Sequence, residues 1–105
     1  MPFVNLTPHT IHLPTGDVPP SGAVARCSEE TEHVTTVDGV PFVYRNYGAV
    51  SGVPEPENRV WLIVSHMCRV ALPRRLDLVS PGDLTRDESG QITGCTNLVM
   101  NRIRL

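Results

Sequence analysis

Short apolar stretches, broken every few residues by proline, glycine or paired acids, set the pattern of this chain. Phe3-Val4-Asn5-Leu6 reads as a first strand, stopped by Thr7-Pro8. Thr10-Ile11-His12-Leu13 resumes with alternating polarity, the two-residue period of a half-buried strand. Pro14 to Gly22 has the composition of a loop. Ala23 to Ser28 alternates again, with Ala23, Ala25 and Cys27 on one face, and Glu29-Glu30 is expected to turn the chain outward. Asp38-Gly39 sits between Glu32–Val37 and Val40–Asn46, two runs rich in valine, threonine and aromatics. Asp-Gly tolerates the positive φ angles of a type I′ turn, so a β-hairpin is predicted. Pro41 lacks an N–H, so its strand is expected at an edge or bulged there.

Further along, Gly52 to Asn58 is a loop stiffened by Pro54 and Pro56. Arg59 to Val64 is apolar on successive residues, as in a strand covered on both faces. Ser65 is placed to cap a short helix, on which Met67, Val70 and Ala71 share a face, and Pro73 ends it. Leu76 to Val79 reads as a strand, followed by a turn at Ser80-Pro81-Gly82-Asp83. Leu84–Arg86 and Gln91–Thr93 flank Asp87-Glu88-Ser89-Gly90 as a second hairpin, and the tail from Thr96 to Leu105 is read as a last strand. The expected fold is one α+β domain over residues 1–105, mostly β. It is an antiparallel or mixed sheet, or a partial barrel, with hairpins and one helix at about residues 66–73.

Composition narrows the chemistry. The nine basic side chains are all arginine, which excludes a Schiff-base lysine, a lysine-bound pyridoxal cofactor and a phosphate loop with its lysine. No cofactor is expected. Residues 1–58 hold two arginines against seven acids, a net −5; residues 59–105 hold seven arginines against four acids, a net +3. Such asymmetry fits a face that binds an anion. The three cysteines form no Cys-x-x-Cys and no even set, so reduced thiols and a cytoplasmic location are expected. The start of the chain has neither the basic head nor the apolar run of a signal peptide, and no apolar run approaches the roughly 20 residues of a membrane span.

Four constellations compete for function. His9 and His12 are weak metal candidates, since odd spacing on a strand sends the rings to opposite faces. His66 and Cys68, beside a helix start, are weak candidates for base and nucleophile, and would define a small hydrolase or transferase. Glu29, Glu30, Glu32, Glu55, Glu57, Asp87 and Glu88 all fall in predicted turns, a setting where acids are ordinarily solvated. Arg69, Arg74 and Arg75 near the helix end, with Arg102 and Arg104 on one face of the terminal strand, are the first choice for ligand or partner contacts, and His9 follows. The acidic total and five aromatics argue against nucleic acid. Expected partners are another protein or a small anionic ligand, with self-association open for so short a chain. Absent a convergent catalytic set, the leading expectation is a non-enzymatic binding protein; a structural assembly component is the third reading.

Val4-Asn5-Leu6-Thr7-Pro8-His9-x-Ile11 resembles the start of a family of short proteins from bacteria and their tailed phages. The likeness continues in Gly48-Ala49-Val50-Ser51-Gly52-Val53-Pro54-Glu55-Pro56, in Ile63-Val64-Ser65 and in Ala71-Leu72-Pro73-x-Arg75-x-Asp77-Leu78. It ends with Pro81-Gly82 and Arg86-Asp87-x-x-Gly90-x-Ile92-x-Gly94-Cys95. The resemblance implies a phage or prophage context, hence the host cytoplasm, a host protein as the protein partner and a virion component as the assembly reading, and carries over no catalytic residue. The absence of lysine also fits a GC-rich genome.

Overall fold

The computed structural model describes residues 2–103. Ten strands and one helix follow one another: β1 (Phe3–Asn5), β2 (Ile11–Leu13), β3 (Gly16–Val18), β4 (Arg26–Val37), β5 (Val40–Ser51), β6 (Trp61–Ile63), α1 (His66–Ala71), β7 (Leu78–Pro81), β8 (Leu84–Arg86), β9 (Ile92–Cys95) and β10 (Leu98–Met100). The fold is a small, mostly-β α+β arrangement with a mixed sheet. The central sheet runs β1-β6-β7-β10, with β1, β6 and β7 mutually parallel and β10 antiparallel to β7. Among the described residues, three two-stranded ribbons, β2–β3, β4–β5 and β8–β9, accompany it, and no closed barrel forms.

The unbroken apolar run Leu62-Ile63-Val64 explains the layering. Leu62 and Val64 join Leu6, Ala25, Cys68 and Leu78 in a cluster that includes α1, whereas Ile63 joins Ile11, Val18, Val79 and Cys95 in a second cluster built with β2, β3 and β9. Alternation along a strand therefore sends neighbours into two cores, one on each face of the sheet. Ser65 caps α1, its Oγ accepting from the Cys68 N–H at 3.3 Å.

Several elements depart from expectation. The stretch 14–22 contains β3, because Pro14-Thr15 makes a tight turn and Ile11 pairs with Val18, whose side chain then enters the second core. Ala23–Ala25 is not in a strand, and Glu29-Glu30 do not turn the chain. They continue β4 opposite Tyr47 and Asn46, because a ribbon with both faces in water tolerates charge at every position. The helix ends at Ala71, and β7 runs on through Pro81, which lies opposite Leu98. The terminal strand is confined to Leu98–Met100, so Arg102 lies beyond it and Arg104 lies outside the described residues. No helix of the described residues is long and apolar enough to cross a membrane.

Asn5 and Gly52 have structural roles. Asn5 is buried, donates from Nδ2 to the carbonyls of His9 (2.7 Å) and Val18 (3.0 Å), and accepts at Oδ1 from the Thr7 N–H (2.9 Å) and hydroxyl (2.7 Å). One amide thus ties β1, the following turn and β3 together. Gly52 has φ +81°, and a Cβ there would lie 2.5 Å from the Val24 carbonyl oxygen, so glycine is required.

Candidate anion-binding groove

The arginines singled out by the sequence take three different roles. Arg75 is an internal clamp. Its Nε donates to Asp77 Oδ1 at 2.9 Å, and its Nη2 donates to Asp77 Oδ2 and to the Pro54 carbonyl, both at 2.8 Å. This two-pronged pairing holds the 52–58 loop against the start of β7 and spends the fork that a ligand would need. The guanidinium lowers the Asp77 pKa by hydrogen bonding and raises its own, although partial burial opposes both shifts.

Arg69 is buried, in the last turn of α1. Its Nε donates to Ser80 Oγ at 2.8 Å, its Nη1 to Asn101 Oδ1 at 2.9 Å, and its Nη2 lies 3.2 Å from His66 Nδ1. Asn101 reciprocates: its Nδ2 donates to the carbonyls of Arg69 (3.3 Å), Leu72 (2.9 Å) and Arg75 (2.9 Å), adding a donor to the Arg69 and Leu72 carbonyls, which already accept from the Leu72 and Arg75 N–H groups. None of these partners is a carboxylate. The ion pairs among the described residues are His12–Asp17, Arg45–Glu29 and Arg75–Asp77, so Arg69 has no carboxylate partner there. A guanidinium carries five N–H donors. The hydrogen bonds of Arg69 occupy one donor on each of Nε, Nη1 and Nη2, leaving one on each terminal nitrogen.

Those free donors belong to a side chain that lines a cavity. Arg69, Val70, Pro73, Asn101 and Arg102 enclose about 390 Å³. A neighbouring cavity of about 360 Å³ is lined by Pro73, Arg74, Leu76, Arg102 and Ile103. Pro73 and Arg102 line both, so the two adjoin in a groove along the end of α1, buried Arg69 lining one part, exposed Arg74 the other and exposed Arg102 both. No acid is among the described residues that line it. Three arginines in an otherwise apolar or amide-lined groove suit an oxoanion, carboxylate or phosphate, which the planar fork matches.

The remaining candidates lie elsewhere. Cys68 is a core residue at 1% exposure, and His66 sits on the exposed side of α1 facing Arg69, so the two do not meet as base and nucleophile. His9 and His12 line a third cavity of about 360 Å³ with Ile11, Leu84, Ile92 and Cys95. His12 Nδ1 is held by Asp17 at 2.8 Å, and no three His, Cys, Asp or Glu side chains gather as a metal-binding group among the described residues. That cavity has apolar walls and no arginine to fix an anion. Sequence reasoning missed Asn101 and Ser80, because neither lies in a periodic pattern or a motif.

Comparison with known proteins gives no significant match to a family model, a curated protein or a solved structure.

Proposed function

We propose that this is a small non-enzymatic accessory protein, phage- or prophage-encoded, that holds a small anionic ligand in the Arg69–Arg74–Arg102 groove. The observation that carries this reading is Arg69: a buried guanidinium that, among the described residues, has no carboxylate partner and two unspent donors. An unpaired buried cation is costly, and an anion from solution offsets that cost. The phage context rests on the sequence resemblance. The reading of a non-enzymatic site rests on the separation of His66 from Cys68 and on the solvated setting of the acids.

A nuclear magnetic resonance titration with inorganic phosphate tests it. The Nε–H signals of Arg69 and Arg102 and the side-chain amide of Asn101 shift in a saturable way, while those of Arg75 and Arg45 stay put. Equal small shifts at every arginine, or none, contradict the proposal.

A further inference from the structure

The two parts of the groove differ in chemistry. The first holds Arg69 with its two unspent donors, the Asn101 amide and Arg102, beside Val70 and Pro73. The second shares Pro73 and Arg102 with the first and adds Leu76, Ile103 and Arg74. Leu76 is 39% exposed and Ile103 60% exposed. Leu76 comes from the link between α1 and β7, and Ile103 from the stretch after β10. Single exposed apolar side chains are ordinary on a protein surface. These two come from distant parts of the chain and line one cavity, next to a buried cation. Ligand sites commonly combine apolar walls with a few placed polar groups in this way.

An inorganic oxoanion would use the first part alone. It fills only a few water volumes of about 30 Å³ each, whereas the two parts hold about 390 and 360 Å³. It would leave Pro73, Leu76 and Ile103 in water. The same anionic group carrying an apolar body would remove that surface from water, which is favourable in proportion to the area covered. Arg74 and Arg102 favour a flat body, because a guanidinium is planar, weakly hydrated and stacks on aromatic faces. A polyhydroxyl body is disfavoured: its hydroxyl donors meet no acceptor side chain among the described residues that line the second part.

We infer that the groove takes an aromatic organic anion, its charged head on Arg69 and Arg102 and its ring against Pro73, Leu76 and Ile103. The inference rests on the anion reading of the groove and adds the class of ligand. Calorimetric titration of the whole chain with methyl phosphate, phenyl phosphate and glycerol phosphate tests it, since the three share one head group. Phenyl phosphate is expected to bind at least about tenfold tighter than methyl phosphate, and glycerol phosphate no tighter. In Ile103→Ser, a change at an exposed position, the phenyl-to-methyl affinity ratio is expected to fall by at least about threefold. Nuclear Overhauser contacts from the ring are expected at the methyl groups of Leu76 and Ile103. Equal binding of the phenyl and methyl esters, tighter binding of glycerol phosphate than of methyl phosphate, an unchanged ratio in Ile103→Ser, or ring contacts at Leu84 and Ile92 of the His9–His12 cavity instead would overturn this inference and leave the anion reading standing. Binding of none of the three esters would overturn both.

Discussion

Arg69 and Asn101 hold each other from opposite ends of the second half of the chain. The arginine donates to Asn101 Oδ1 at 2.9 Å, and the asparagine donates back to the Arg69 carbonyl at 3.3 Å. This exchange positions a buried cation and ends a helix of six residues that is too short to stand without docking.

Replacing Asn101 should therefore damage two things at once. Asn101→Ala leaves Arg69 with one fewer acceptor and removes the side-chain amide that donates to the Arg69, Leu72 and Arg75 carbonyls. A loss of about 3 kcal/mol is expected, since a hydrogen bond to a charged group contributes about 1.5–3 kcal/mol and buried unpaired groups add to the loss. Urea unfolding measures it. A change within a few tenths of a kcal/mol would show that the exchange is incidental.

Asn5→Asp probes the turn that ties β1 to β3. The exchange is nearly isosteric, yet it replaces a donating amide with an oxygen facing the carbonyls of His9 and Val18. Destabilisation by about 2–4 kcal/mol is expected from the lost bonds and buried repulsion. Asn5→Ala removes the repulsion and should cost less. The same urea series ranks the two, and the reverse order would mean that the Oδ1 bonds to Thr7 dominate.

The Arg75–Asp77 clamp predicts a pH dependence. Folding lowers the Asp77 pKa. Its contribution to stability is therefore complete above the unfolded-state value of about 3.9 and is lost as pH falls through the lower folded value. The stability difference between wild type and Asp77→Asn should be constant from neutral pH down to about 5 and shrink below about 4. Urea midpoints across that range test this, and a difference that grows on acidification would contradict it.

The legible parts of the fold were those with local causes. Asp38-Gly39 announces its turn because both residues take positive φ, +50° and +79°. Ser65 announces α1 because a hydroxyl at that position meets a free N–H. Leu62-Ile63-Val64 shows that both faces of β6 are covered. The length of the β4–β5 arm was hidden, because Glu29-Glu30 and Gly48 look like breaks and only the partner strand shows that the ladder continues. β3 was hidden for a similar reason: a single valine, Val18, supplies its buried face.

The candidate site was half legible. An arginine-rich second half was evident from charge counting, and Arg74 and Arg102 line the groove as that bias suggests. The division of labour was not visible. Arg69 looks like a surface cation in sequence, and its partners Ser80 and Asn101 stand 11 and 32 residues away. Arg75 looks like a ligand contact, yet Asp77, two residues on, claims its fork.

Calorimetric titration with inorganic phosphate, comparing wild type with Arg74→Ala/Arg102→Ala, tests the anion groove most directly. Both arginines are exposed, so their removal leaves the core and the Arg69–Asn101 pair intact. The account predicts saturable one-site binding to the wild type, weakened by at least about tenfold in the variant, the loss of roughly 1.4 kcal/mol or more of charge-assisted contact. No heat of binding in the wild type, or equal affinity in both proteins, would contradict it.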